Sequence, residues 1–419
     1  MIRPVSLGMC LALLVACQST GDSERDSQPQ EAAIAELESG EHGVAMFCAR
    51  ILTIDDEDRV LSPGLIVTRG GKIEYVGPPV EIPEGYERRD YGDLWAVPGM
   101  VDLHTHVHTG GWGDINSSHN HVNPELSASV AMVPANSLLQ RAASSGVTTL
   151  FGIPGSGTSM GGFGLLYKAR TSGGYEDSVI ADPAGLKVAQ THNPDRNANA
   201  LVRSWAGLSW MLEQINDKAI AATERGLFDP QLVDLQRVHT GELPVLIHCA
   251  GSDGVGNTVR MWRVNYPTRS ILSHGSFDGW KVADVVAEHG MPVNHGPRIM
   301  DYYSSRTGRV EPSALVYWEA GGPNFSLNTD SQIIAQDEFF LQGSMAARQG
   351  ADSYQMLRAV TIHPARAFGF GDRLGSLEVG KDADIVIWTG DPLDPRSHVE
   401  FVLIDGEAQY DKQEDGQWS

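Results

Sequence analysis

The sequence predicts an α/β fold: a (β/α)8 barrel of the TIM type that carries a small β-sandwich formed from its N- and C-terminal segments. Three observations lead there. Between residues 98 and 371, strand-like apolar runs alternate with helical ones, the pattern of parallel strands joined by helical crossovers. Histidines and a carboxylate recur where those runs end. Short strand-like runs broken by Gly and Pro turns flank this region on both sides, over 43–97 and 372–412.

Taken in order, the chain opens on a targeting segment, residues 1–17. Arg3 supplies a positive start, Val5 to Ala16 an apolar stretch shorter than the ~20 residues a spanning helix needs, and Leu14-Val15-Ala16 leads into Cys17. This resembles a bacterial lipoprotein signal, with Cys17 as the lipidated first residue of the mature chain; an ordinary cleaved signal peptide or a short buried helix is the alternative. Residues 18–42 are polar, acidic and free of aromatics, as a solvated tether is. The expected location is therefore outside the cytoplasm, on a membrane reached through the lipid anchor alone.

The small sandwich is read from Val44–Ile54, Leu65–Thr68 and Lys72–Val76, with turns at Arg69-Gly70-Gly71 and Pro78-Pro79, and from Asp384–Thr389 and Val399–Asp405 near the other end. Barrel strands are expected at Val101–His106, Val147–Ile153, Phe163–Tyr167, Leu186–Val188, Val245–Cys249, Ile271–His274, Pro292–Asn294 and Phe325–Asn328, the third being poorly marked. Helices are expected at Leu138–Ala143, Val202–Asn216, Trp280–His289 and Ser353–Val360.

Composition excludes some functions. With 53 acidic against 31 basic residues and a formal charge of −22, the chain lacks the clustered cations that displace counterions from nucleic acid. Cys48 and Cys249 are the two cysteines beyond the targeting segment, too few for a disulfide framework and best read as free thiols. The glycine-rich run Gly152 to Gly157 lacks the lysine and hydroxyl of a phosphate loop, so it reads as an active-site loop.

The chemistry begins at Val97-Pro98-Gly99-Met100-Val101-Asp102-Leu103-His104-Thr105-His106. Alternate side chains of a strand share a face, so His104 and His106 can reach one metal ion. His248 ends PVLIH, His274 ends SILSH, and Asp330 follows NFSLNT. In a barrel these ends converge on one mouth. Imidazoles and a carboxylate are the donors that zinc-like divalent metals take. Beyond the seventh strand, His295 sits where substrate could be held, and Arg298 could pair with a substrate carboxylate. His108, His119 and His121 follow the first strand on a loop and read as solvent-exposed.

At this point the chain resembles the amidohydrolase superfamily, and within it the imidazolonepropionase-like branch of metal-dependent hydrolases. The motifs that carry the resemblance are VPGMVDLHTH, SGVTTLFGIPGSG, PAGLKVAQTHNPDR, LIHCAG, SHGSFDGWKVADVVAEHGMPVNHGP, SLNTDS, TIHPARAFGF and RLGSLEVGKDADIVIWTGDPLD, and the similarity covers nearly everything from about residue 43 to 411. The resemblance implies that His104, His106, His248, His274 and Asp330 hold the metal. It also implies that Asp330 takes a proton from the attacking water and passes it to the leaving amine. Lys187 is implied as a sixth ligand in relatives with two ions, where carbon dioxide carbamylates it; the alternative is an ordinary ion-paired lysine, and Lys168 is a weaker candidate for the same role. His363 resembles part of the closing helix motif and reads as structural.

The reading is thus an enzyme, a zinc-dependent amidohydrolase with one ion, or two if Lys187 is modified. Its expected substrate is a small amide or short peptide: a cyclic amide, an N-acyl amino acid or a dipeptide. A deaminase or ester hydrolase on the same scaffold, and a non-catalytic binding lipoprotein, are the alternatives. No nucleic-acid partner is expected, and self-association is left open.

Overall fold

A computed structural model describes residues 43–111, 116–117, 119–196, 204–300 and 308–418. The expected signal segment, Cys17 and the tether lie outside these residues. The first seven strands are β1 (Gly43–Cys48), β2 (Arg50–Leu52), β3 (Val60–Leu61), β4 (Gly64–Arg69), β5 (Lys72–Gly77), β6 (Tyr86–Asp90) and β7 (Trp95–Pro98). Four of them form a sheet in the order β5-β4-β1-β6, in which β1 is antiparallel to β4 and parallel to β6.

The next eight strands follow one another around the barrel in chain order: β8 (Met100–Thr105), β9 (Val147–Gly152), β10 (Met160–Lys168), β11 (Val179–Ala189), β12 (Val245–Ala250), β13 (Ser270–Ser276), β14 (Val293–His295) and β15 (Phe325–Leu327). The ring is drawn together where Thr105 and Ser331 bridge in parallel and His106 N donates to Ser331 O at 2.7 Å. Inside it, Val101, Leu103, Phe151, Leu166, Leu246 and Ile271 pack into one apolar cluster.

One strand departs from the expected pattern. β10 runs antiparallel to both β9 and β11, while the remaining neighbours pair in parallel. A parallel return needs a crossover of about a dozen residues or more. Residues 153–159 between β9 and β10 are too few, so the chain folds back as a hairpin with no helix. This is why the third strand was weakly marked: the helical run that should have bounded it does not exist.

The helices start where capping chemistry allows. Ser137–Ser144 opens on Asn136, whose Oδ1 accepts from Leu138 N at 2.9 Å and Leu139 N at 3.2 Å. Gly146 follows this helix at φ +82, where a Cβ would stand 3.1 Å from Val386 Cγ1. The long helix Trp205–Glu224 is capped by the Ser204 hydroxyl, and Ser353–Val360 by Asp352. The expected helix at 280–289 splits into a 3-10 turn, Phe277–Val282, and a short helix, Ala283–Glu288.

Three last strands, β16 (Ile385–Trp388), β17 (Val399–Ile404) and β18 (Glu407–Asp411), join the first part of the chain in a six-stranded sheet ordered β18-β17-β16-β7-β2-β3. Its two faces serve different cores. Ile385, Ile387, Phe401 and Leu403 pack with Met46, Ile51 and Ile66 of the small domain. Val386, Trp388, Val402 and Ile404 pack into the large core with Leu139 and Val147. Burial on both faces is why β16 and the Phe401–Ile404 part of β17 read as unbroken apolar runs.

Because β10 is reversed, Lys168 at its end lies at the amino-terminal end of the barrel, away from the histidines. Its buried ammonium meets Asp384 at 2.7 Å, Asp382 at 3.1 Å and Asp405 at 3.2 Å. Asp382 is also held by Lys72 at 2.5 Å and Arg373 at 2.9 Å. Lys168 is therefore a tie between barrel and C-terminal segment and not a rival for the metal role. Lys168→Met, which leaves buried carboxylates uncompensated, is expected to cost about 3–5 kcal/mol in urea denaturation at pH 7. Burial alone would push the Asp382 carboxyl up, but Lys168, Lys72 and Arg373 pull it down to about 2. Its contribution to stability is complete above the unfolded value near 4 and is lost as pH falls through about 2, so the Lys168→Met penalty should shrink over that window.

Candidate metal centre

Three local irregularities aim the candidate ligands into the barrel. The first is in β8. Val101 and Leu103 already face the interior cluster, so strict alternation would send His104 and His106 outward. Asp102 pairs with Leu150 and Thr105 with Gly152, three steps on one strand against two on the other. That bulge reverses the facing and turns both histidines inward. The second is at His274, which pairs with Cys249, a residue of the outer core. Its left-handed backbone, φ +70, swings the imidazole inward instead. Asp330 repeats the device at φ +47. Each such residue costs of order 1–3 kcal/mol, a strain typical of functional positions.

The groups converge. His104 Nε2 lies 3.3 Å and His106 Nε2 3.4 Å from Asp330 Oδ1, and His274 Nε2 lies 3.9 Å from Asp330 Oδ2. The His274 ring is 4.4 Å from that of His104 and 4.6 Å from that of His248. Ligand atoms of His104, His274 and Asp330 all fall within 4.8 Å of one another. Lys187, fully buried on β11, donates Nζ to Ser156 Oγ at 2.8 Å.

The opposite ring nitrogens fix the tautomers. His106 Nδ1 donates to Ile153 O at 2.9 Å and His274 Nδ1 to Gly296 O at 2.6 Å. A carbonyl only accepts, so both Nδ1 atoms carry a proton, and in the neutral imidazole it is Nε2 that offers the lone pair. His104 Nδ1 pairs with Ser273 Oγ at 2.7 Å. Among the described residues, His104 Nε2, His274 Nε2 and both nitrogens of His248 are buried without a hydrogen-bond partner. Such orphaned acceptors around a carboxylate are what a cation-binding site looks like from the protein side.

Electrostatics point the same way. Burial first, then repulsion from His274 and Lys187, holds His104 and His248 well below the usual histidine range, so their imidazoles are neutral. His274 is lowered too, chiefly by burial. For Asp330, burial pushes upward, but His274, His106 and Lys187 outweigh it and keep the carboxylate ionised. Neutral imidazoles beside an anionic carboxylate can hold a divalent metal ion.

Other expected residues fall elsewhere. His295 is fully buried with both nitrogens committed, Nδ1 to the His274 carbonyl and Nε2 to Ser313 Oγ at 2.9 Å. It has no polar atom left for substrate and instead braces the strained His274 backbone. Gly296 is part of the same brace: at φ +136, a Cβ would stand 2.2 Å from Asn328 O. Arg298 is exposed, its guanidinium 5.6 Å from the centre of the Phe277 ring. His108 and His121 are buried, contrary to expectation, and burial pushes His108 down to about 3. His363 lies beneath the barrel and donates Nδ1 to Phe325 O at 3.0 Å.

Two residues escaped the sequence reading. Asp102 is fully buried and accepts from His104 N at 3.1 Å, Thr329 Oγ1 at 2.5 Å, Thr329 N at 3.3 Å and Gln336 Nε2 at 3.1 Å. Its signal was a carboxylate two residues before His104 in an otherwise apolar run. His192, after β11, has φ +72 and a ring packed between Trp205 at 5.8 Å and Phe277 at 5.5 Å.

Comparison with known proteins agrees with this geometry. Residues 95–410 match the Amidohydrolase family. The chain is 25% identical over 383 residues to the imidazolonepropionase of Cupriavidus pinatubonensis, covering 81% of this chain and 86% of that protein. It is 25% identical over 398 residues to amidohydrolase tasK of Hapsidospora irregularis, covering 84% of this chain but only 40% of that longer protein. The fold is similar to the crystal structure of an amidohydrolase from Thermotoga maritima, with a TM-score of 0.79 and 27% identity over 88% of this chain and all of that one.

Removing the Asp102 carboxylate strands four donor groups and frees the backbone that carries His104. Asp102→Ala is expected to lower divalent-ion affinity by about 10–100-fold, read by competition with a chromogenic chelator. A wild-type affinity in that variant would show that Asp102 positions nothing.

Proposed function

Because the chain belongs to the amidohydrolase family, whose members are metal-dependent hydrolases acting on carbon–nitrogen bonds, we propose that it cleaves a small amide at the His/Asp cluster. His104, His106, His248, His274 and Asp330 are the residues that would hold the metal, zinc in this reading. Lys187 would be a further ligand if carbon dioxide added to its neutral Nζ, giving a carbamate and releasing a proton. A bound ion of this type supplies a Lewis acid that acidifies water toward a pKa of about 7 and polarises the substrate carbonyl. The observation that carries the proposal is the set of bare, buried imidazole nitrogens around an ionised carboxylate.

The chain's own residues do the rest. Among the described residues Asp330 is the one carboxylate within 4 Å of three inward-facing imidazoles, so it accepts the proton of the attacking water and returns it to the departing nitrogen. Carbonyl acceptors on His106 and His274 keep those rings oriented throughout. Arg298, exposed above Phe277, is the group offered to a substrate carboxylate, which favours an N-acyl amino acid or dipeptide over an uncharged amide.

Metal quantitation on purified protein, followed by a screen of N-acyl amino acids, dipeptides and cyclic amides, tests this reading. Asp330→Asn is expected to lower kcat at least about 10³-fold while the folded protein still binds zinc. Full turnover in Asp330→Asn, or a well-folded wild type that takes up no divalent ion, would refute the assignment. Ammonia release without a new carboxylate would reassign the chemistry to deamination.

We propose in addition that the enzyme is exported and tethered by a lipid on Cys17, a reading supported by residues 3–17 and the acidic stretch after them. Among the described residues no helix is long and apolar enough to cross a membrane. Cys17→Ser is expected to move the protein from the membrane fraction to the soluble fraction; unchanged membrane association would overturn the anchor.

A further inference from the structure

We infer that a second ligand site, specific for a small phosphate ester or phosphate ion, lies at the closed end of the barrel. It is a cavity of about 320 Å³ where β13, β14 and β15 begin, bounded below by the helix Ile362–Phe368. His274, His295 and Asp330 stand at the opposite, carboxyl ends of the same strands, so this cavity is separate from the candidate metal centre.

Its lining is cationic in an acidic protein. Arg263, Arg269 and Arg366 line it, with Asn324 and His363, which burial pushes down to about 4, as neutral polar groups, and no Asp or Glu is among the lining residues. The chain as a whole carries a formal charge of −22, so three arginines around one space, two of them without an acidic partner among the described residues, are not the background of this surface.

The guanidinium groups of Arg263 and Arg269 are held in place by groups that leave their charge uncompensated. Arg263 donates to the carbonyls of Thr268 at 2.9 Å, His289 at 3.1 Å and Gly290 at 2.5 Å, which leaves two of its five N–H groups unspent. Arg269 donates from Nη1 to the carbonyls of Gly241 at 3.4 Å and Glu242 at 3.1 Å, leaving Nε and Nη2. Neither has a carboxylate partner among the described residues. Arg366 gives one N–H to the exposed Asp56 at 2.7 Å and keeps the others. Carbonyls fix geometry without neutralising charge, so the pair Arg263 and Arg269 is preorganised for an oxyanion. Planar forks of unspent N–H groups match phosphate oxygens, and a phosphate with two or more charges satisfies more of them than a monocarboxylate does. The volume exceeds that of one phosphate ion, which leaves room for a short organic substituent.

The site does not depend on the amide-hydrolase reading, and the experiment keeps the two apart. Metal-loaded full-length protein is titrated calorimetrically with inorganic phosphate, glycerol phosphate and citrate, each against chloride at matched ionic strength. Saturable phosphate binding is expected, weakened about tenfold or more in Arg269→Gln and again in Arg366→Gln, while both variants keep wild-type zinc content and turnover. Arg269→Gln spares the three carbonyl bonds of Arg263, and its thermal melt reports whether the fold is intact. Absence of saturable binding by the wild type would overturn the site. So would binding that ignores both substitutions or that disappears when zinc is stripped, since it would then belong to the metal centre. Tighter binding of citrate than of glycerol phosphate would overturn the phosphate assignment.

Discussion

The geometry of the whole centre hangs on one buried carboxylate. Asp102 takes the backbone N–H of His104 on one side and both the backbone and the hydroxyl of Thr329 on the other, with Gln336 completing the set. Thr329 immediately precedes Asp330, so this carboxylate fastens the first strand to the loop after the last one. Beside it, the Thr105–Ser331 bridge does the same with main-chain groups alone. A barrel sheet is weakest where its ends meet, because the two edges come from distant parts of the chain. Here the donor groups of the candidate centre are placed on both sides of that seam, and the buried hydrogen bonds around Asp102 hold it.

A second constraint is backbone strain that neighbouring groups offset. His274 and Asp330 adopt left-handed conformations that side chains other than glycine rarely take. The His274 carbonyl is caught by His295, whose other nitrogen is caught by Ser313, and the His274 ring is caught by the Gly296 carbonyl. His274 is thus held at its carbonyl and at its ring, and the imidazole it presents has little freedom left to lose when a ligand arrives.

Much of this was legible in the order of residues along the chain. His104, His106, His248, His274 and Asp330 announce themselves because apolar runs end on them, and a barrel brings such ends together. The apolar runs of β16 and β17 likewise marked strands, which the fold buries on both faces. What stayed hidden were features that depend on register and direction. The bulge in β8 and the turn of His274 away from its alternating face have no signature in residue type. The reversed β10 could have been found by counting the residues between Gly152 and Met160, too few for a helical crossover. That reversal also separates Lys168 from Lys187: the two lysines look alike in sequence, yet strand direction sends one to the aspartates below and the other to the imidazoles above. His295 misled because position after a strand says where a residue is, while its burial and two partners say what it does.

The hairpin between β9 and β10 has one further implication. In an ordinary repeat of this architecture the connector must also clad the outside of the barrel, so its length and composition are tied to packing. Residues 153–159 turn the chain without that duty, and yet Ser156 among them touches Lys187. Ile153 at its start is buried and its carbonyl holds the His106 ring, so the freedom this short turn offers is concentrated at Ser156. A replacement there reshapes the wall beside the buried lysine without lengthening or repacking any outer helix.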